Sequence, residues 1–347
     1  MNTSAVLGFG LLLATASGPA TPAIDGGAED ATTEVVARVE HFYWSSAGLD
    51  AELLVFTSNR DQAVTAAQRA REAMTRTLQR LDENSAGSEL YRLSHSDGKP
   101  VVLSPDVFDS LAEALRVARL SSGAYDPTAA SVVELWGFGS GGLVPDPVAV
   151  KTALDQVDYR ALKLDAVQHI ATLAPGKRIG LGSLRRGAAL ERATQALLDA
   201  GLDSFVLRSG GDLVVRGQKA EQPWMVGVQD PRAAGYFAAF SASDGAVATA
   251  SDYERFFFRA GVRFHGVIDP RSGVPARSTR SATVVASNAE LASALAHAVF
   301  VLGPEAGLEL VGRLSGIEAI VVDDQNRVQL SPGLVDQVRF RPPTDGP

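Results

Sequence analysis

Arg263-Phe264-His265-Gly266-Val267-Ile268-Asp269-Pro270-Arg271-Ser272-Gly273-Val274-Pro275 carries one of only five histidines in the chain, with an aspartate and an arginine close behind it. Val262, Phe264, Val267 and Ile268 give the apolar pattern of a strand ending at Asp269. Pro270 has no N–H to offer a sheet interior, and Gly273 and Pro275 favour turns. At such a junction the backbone leaves its ladder and polar side chains gather at a rim, where binding residues are commonly placed. Two readings stand: a site that uses His265 and Asp269, or a polar turn in which Asp269 caps local amides.

Around this stretch the second half of the chain is rich in strands, expected at 204–207, 213–216, 224–228, 236–241, 245–250, 254–258, 262–268 and 282–286. Helices at Ala289–Leu302 and 304–314 and a hairpin at 319–330 follow. Upstream, strands at 35–43 and 51–57 precede an amphipathic helix at 61–81, where Val64, Ala67, Met74, Leu78 and Leu81 recur at helical spacing. Ser104-Pro105 opens another helix, with Val107, Leu111, Leu115 and Ala118 on its buried side. Further helices are expected at 145–157 and within 179–198. Runs of strands with helices segregated between them indicate an α+β fold, not a βαβ alternation, and no internal repeat is evident.

The chain has 347 residues, 46% hydrophobic and 21% charged, which is globular composition. Its net charge of −8 argues against a nucleic-acid surface, which would need a concentrated basic patch. With no cysteine, disulfides, thiolate chemistry and a lipid-modified cysteine at the N-terminus are excluded. The apolar run at residues 5–16 is too short to span a bilayer and fits the core of a signal peptide, although the preceding Met-Asn-Thr-Ser has no basic residue; a structural strand or helix is the alternative. No later run reaches transmembrane length. The expected organisation is a signal peptide at 1–23, a linker at 24–34, a single domain at 35–340 and a tail at 341–347, in an exported, periplasmic protein.

Gly180-Leu181-Gly182 before a helix carrying Arg186 in its first turn can cradle an anion, because a helix N-terminus and a guanidinium both favour phosphate; a solvated arginine is the alternative. Gly210-Gly211, between two apolar strands, permits either a tight hairpin or close approach of backbone to a ligand. Ser293 and His297 share a helix face and can both reach one ion, or can be ordinary packed residues. Leu135-Trp136-Gly137-Phe138-Gly139 offers a floor for a flat ligand or, equally simply, a core tryptophan. There is no Gly-x-Ser-x-Gly elbow, which argues against a serine hydrolase.

In order along nearly the whole chain, these motifs resemble the FAD:protein FMN transferases, the ApbE family. The matching pieces are Ser88-Glu89-Leu90-Tyr91-Arg92-Leu93, Gly123-Ala124-Tyr125-Asp126-Pro127-Thr128, Leu135-Trp136-Gly137-Phe138-Gly139 and Gly210-Gly211-Asp212. They continue with Pro223-Trp224, Ala248-Thr249 through Asp252-Tyr253-Glu254-Arg255, Ile268-Asp269-Pro270-Arg271-Ser272-Gly273 and Phe300-Val301-Leu302-Gly303. The resemblance implies a two-lobed, T-fold-like α+β protein with mixed or antiparallel sheets and FAD in a cleft between the lobes. It implies transfer of FMN to a Ser or Thr hydroxyl of an acceptor flavoprotein with release of AMP, assisted by Mg²⁺, and a place beside a membrane redox complex. Carried onto this chain, catalysis falls to Arg186, His265 and Asp269. Flavin binding falls to Ala124, Tyr125, Asp126, Gly180, Arg186, Gly210, Gly211 and Gly266, and metal binding to Ser183, Ser293 and His297.

The chain departs from the family pattern at its chemistry. Gly180 stands for an aspartate that contacts flavin, Arg186 for a lysine, and Gly266 for the second histidine of His-His-Ile-Ile-Asp-Pro. Ser293 and His297 stand for the aspartate and threonine that hold magnesium; Ser183 keeps a position whose backbone carbonyl serves the metal. Magnesium favours carboxylate oxygen, so losing that aspartate weakens the site. Two expectations follow: an enzyme with a rearranged site, or a non-catalytic paralogue that binds flavin or a partner flavoprotein.

Overall fold

The computed structural model describes residues 37–341; the expected signal peptide and linker, and the tail beyond 341, lie outside them. In chain order the first elements are β1 (Arg38–Ser46), β2 (Leu49–Thr57), α1 (Arg60–Arg80), α2 (Glu89–Ser94), β3 (Val101–Val102), α3 (Pro105–Leu120), α4 (Ala130–Glu134) and α5 (Pro147–Leu154). Next come β4 (Leu162–Asp165), β5 (Ile170–Leu173), α6 (Leu184–Asp199), β6 (Phe205–Ser209), β7 (Asp212–Arg216), β8 (Trp224–Gln229), β9 (Tyr236–Ala242) and β10 (Gly245–Ser251). The chain closes with β11 (Phe256–Arg259), β12 (Val262–His265), β13 (Thr279–Ala286), α7 (Ala289–Leu302), α8 (Pro304–Gly312), β14 (Glu318–Asp323), β15 (Val328–Leu330) and β16 (Arg339–Phe340).

An eight-stranded antiparallel sheet in the order β1-β2-β6-β7-β10-β13-β14-β15 organises the fold. Alternation sends Leu53, Leu207, Val214 and Val284 to one face, where α1, α3, α6 and α7 cover them. Leu54, Val206, Val215 and Val247 point to the other face, against Trp224, Val226 and Phe240 of the small sheet β16-β9-β8. A third cluster joins Val132, Trp136 and Val150 of the α4–α5 region to Ile268, with Phe257 and Phe264 of the β11–β12 hairpin packed against it. This satellite core is the second lobe, and the α+β architecture is as the sequence predicts.

Helix α7 is buried on nearly every side, so its faces fix the neighbouring loops. Asn288 caps it by accepting from Leu291 N at 2.9 Å, and Glu191 of α6 accepts from Ala289 N at 3.0 Å. The helix α6 crosses this end at Gly187, where a Cβ would lie 2.3 Å from Ala289 O and 2.6 Å from Ser293 Oγ. Only glycine permits so close a crossing, which brings the first turn of α6 beside Ser293.

The expected strand at 262–268 ends earlier, at His265. Gly266 N donates to Arg255 O at 2.8 Å, Val267 N turns to His265 Nδ1 at 3.3 Å, and only an isolated bridge pairs Ile268 with Pro275. Val267 enters the main core and Ile268 the satellite core, so the apolar pattern reflects two cores and not a continuing ladder. The small sheet β3-β5-β4 and the helix α4 carry too little periodicity to be read from sequence.

Candidate active site

Three segments reach α7 one turn apart. Ser293 meets Asp212 at the start of β7, His297 meets the turn after β12, and Phe300 meets His265 at the end of β12, edge-to-face at 5.4 Å between ring centroids. Ser293 and His297 thus lie on one rigid helix, with Ser183 and His265 in contact with it.

The first turn holds an ion cluster. Arg186 Nε donates to Asp212 Oδ2 at 3.0 Å and its Nη2 lies 3.5 Å from Asp212 Oδ1, while Nη1 is 3.6 Å from Glu254 Oε2. Asp212 is 2% exposed and also accepts from Ser293 Oγ at 2.6 Å. Burial opposes the charge on Arg186, but the Asp212 and Glu254 carboxylates outweigh it and hold its pKa above the ordinary arginine value. Gly210 and Gly211 give these charges room. A Cβ at Gly210 would lie 2.2 Å from Arg186 Nη1, and one at Gly211 2.7 Å from Glu254 Oε1. Ser183 precedes α6 without capping it; its hydroxyl donates to Ser293 O at 3.0 Å.

At the next turn His297 Nε2 lies 3.2 Å from Ile268 O, and its ring meets Tyr125 edge-on at 5.7 Å. Burial pulls the His297 pKa down to about 4, so the imidazole is neutral at pH 7. His265 has both ring nitrogens engaged: Nε2 donates to Ala276 O at 2.7 Å and Nδ1 accepts from Val267 N at 3.3 Å. Burial lowers its pKa as well. Asp269 accepts from Arg271 N, Nε and Nη2, each at 2.9 Å, and its backbone carbonyl closes the turn to Gly273. The capping reading of Asp269 thus describes its observed contacts.

Ala124, Tyr125 and Asp126 turn their side chains into the protein. Tyr125 OH donates to Leu181 O at 2.8 Å, pinning the Gly180–Gly182 turn, and Asp126 accepts from Thr128 N, Thr128 Oγ1 and Tyr159 N. These contacts set the conformation of the loop. Trp136 is a core residue, its Nε1 donating to Gly273 O at 2.9 Å. At Gly180 the space for a side chain is already filled: a Cβ would lie 3.0 Å from Ala130 Cβ. Nearby, Glu83 Oε1 would be 3.8 Å from that Cβ, while Glu83 Oε2 is buried without a partner. Gly266 is roomier, its nearest neighbour being Arg255 Cβ at 3.5 Å, so packing does not forbid a side chain there.

The magnesium donors expected from the resemblance are engaged with protein partners. The Ser183 carbonyl accepts from Arg186 N and Gly187 N, Ser293 Oγ is given to Asp212, and His297 to Ile268. Among the described residues no group of three or more His, Asp or Glu is placed to hold a metal ion. A hydroxyl, an imidazole and an occupied carbonyl are a poor set for a hard cation that prefers carboxylate. The carboxylates that are present, Asp212 and Glu254, face a guanidinium. Sequence reasoning passed over both as site residues, although each lies inside a quoted motif; a buried arginine implies a carboxylate partner, and that signal would have found them.

Surface concavities of about 540 Å³ beside α3 and about 670 Å³ beside α5 contain none of the predicted site residues. No helix among the described residues is long and apolar enough to cross a membrane.

Comparison with known proteins follows the same outline. A FAD:protein FMN transferase of Treponema pallidum is 36% identical over 279 residues, spanning 75% of this chain and 77% of that one. The crystal structure of an ApbE protein from Thermotoga maritima matches with a TM-score of 0.79 at 28% identity, over 86% of this chain and 98% of that one. The flavin transferase ApbE of Vibrio cholerae shares the fold at a TM-score of 0.76 and 21% identity, over 87% and 99% of the two chains. The ApbE family model matches residues 47–321, a span that takes in the α6 turn, the Gly210-Gly211 loop and the whole of α7, and the chain belongs to that family.

Proposed function

We propose that this protein binds FAD beside the first turn of α6 and transfers its FMN part to an acceptor flavoprotein. In the reaction a Ser or Thr hydroxyl oxygen attacks the FMN-side phosphorus, the phosphoanhydride bond breaks, AMP leaves with the bridging oxygen, and the hydroxyl proton passes to solvent. The observation that carries this reading is Arg186: a permanently charged guanidinium fixed by Asp212 at the start of a helix, beside two glycines that keep the backbone low. Such a group suits a diphosphate and the charge that grows on it during phosphoryl transfer. No step is assigned to magnesium, because the donor set does not suit it. The reading places the reaction after export, on the strength of the apolar run at residues 5–16.

A second reading, flavin binding without transfer, is favoured by specific contacts. His265 has no ring nitrogen to spare for a proton, and Ser293 stands bound to Asp212 where a metal carboxylate is expected. One experiment separates the two. The purified protein is incubated with FAD and an acceptor flavoprotein domain, with added Mg²⁺ and separately with a chelator. AMP is followed by chromatography, and covalent flavin by fluorescence after denaturing electrophoresis. AMP with labelled acceptor supports transfer; retained FAD without AMP under either condition supports the second reading.

A further inference from the structure

We propose that Glu254 is a displaceable stand-in for the phosphate of the ligand, holding the open side of Arg186 until a diphosphate takes its place. The proposal deepens the reading of FAD as ligand and rests on it. The two carboxylates at Arg186 are not equivalent. Asp212 grips the Nε–Nη2 edge, is 2% exposed, and is held from behind by Ser293. Glu254 meets the remaining Nη1 at 3.6 Å, beyond hydrogen-bonding distance, and its side chain is 31% exposed. Partly exposed pairs at such a distance contribute little, so Asp212 is a fixed partner and Glu254 an exchangeable one.

The surroundings support an exchange by side-chain rotation alone. Glu254 lies in the connection between β10 and β11, and the neighbouring Asp252 is anchored by Arg232 and Arg263. The backbone of the connection therefore stays in place when the Glu254 carboxylate moves. Gly210 and Gly211 present no Cβ on the side where Nη1 and Glu254 Oε1 lie. A phosphate oxygen accepts from a guanidinium in the geometry a carboxylate uses. Charge makes the exchange selective: two carboxylates against one guanidinium leave an excess negative charge, which repels any anion that does not evict Glu254. A diphosphate offers one phosphate to Nη1 and a second to the start of α6, where a monophosphate offers one group only, so Glu254 acts as a specificity-determining residue that disfavours mononucleotides.

Calorimetry with ADP and AMP as probes tests this on the wild type, Glu254→Gln, Arg186→Ala and the double variant, with thermal melts to confirm folding. Glu254→Gln is expected to tighten ADP about tenfold and AMP by a larger factor, narrowing the preference for ADP, and the gain is expected to vanish when Arg186→Ala is present. Unchanged or weaker ADP binding by Glu254→Gln, or a gain that survives Arg186→Ala, overturns the proposal. FAD binding, followed by flavin fluorescence, separates the two levels. FAD bound normally with no effect of Glu254→Gln defeats the stand-in role alone, whereas failure of every variant to bind FAD or ADP defeats the function as well.

Discussion

Replacing Asp212 by asparagine removes the charge that permits Arg186 to be buried. Asp212 is 2% exposed and receives two guanidinium nitrogens and the Ser293 hydroxyl. Breaking a buried ion pair from one side costs about 3–5 kcal/mol, because the other charge stays behind. Here the Arg186 side chain is 17% exposed and Glu254 remains 3.6 Å away, so the lower end applies, about 3 kcal/mol. For a chain of this size that lowers the melting temperature by roughly 4 °C. Urea unfolding and calorimetry read it directly. A double variant, Arg186→Met with Asp212→Leu, removes both charges and is expected to regain most of the loss. A single Asp212→Asn variant within about 0.5 kcal/mol of wild type would refute the claim that this carboxylate holds the guanidinium.

Three further outcomes are expected. Gly187→Ala drives a Cβ to 2.3 Å from Ala289 O, and urea unfolding should show a loss of about 2–3 kcal/mol from the forced separation of α6 and α7; an unchanged midpoint would mean that the helices are not in close contact there. His265→Ala strips Ala276 O and Val267 N of their partner and should lower stability by about 2 kcal/mol, whereas a purely catalytic histidine would lose activity with stability intact. Glu290 is 6% exposed, and burial lifts its pKa to about 7 despite the opposing Arg192. The folded state thus keeps a proton that the unfolded chain releases near pH 4.5. Stability falls as pH rises between those values and is lower by about 3 kcal/mol above them. Glu290→Gln should then be more stable than wild type at pH 8 and equal to it at pH 4; a difference independent of pH would contradict the assignment.

The fold was legible where one side chain reports one environment. The helical spacing of Val64, Ala67, Met74, Leu78 and Leu81 in α1 and the Ser-Pro start of α3 each announced their element. Val267 and Ile268 misled, because consecutive apolar residues that enter two different cores look like a strand. The site was legible as a set of loops but not as a set of contacts. Nothing local to Arg186 says that Asp212, 26 positions away, and Glu254 will neutralise it. Nothing local to His265 says that a carbonyl and an amide will claim its nitrogens. Tyr125 and Asp126 point inward: Tyr125 holds the Gly180–Gly182 turn, and Asp126 holds Thr128 and Tyr159. The crossing at Gly187 was unreadable for the same reason: its meaning depends on Ala289, which belongs to another helix.

Quantifying AMP from FAD, with and without an acceptor flavoprotein domain and in the presence of a chelator, tests the functional claim most directly. The account predicts AMP in equal amount to flavin bound covalently to acceptor hydroxyls, surviving the chelator and abolished by Arg186→Ala. FAD retained by the protein with no AMP in any condition would contradict it.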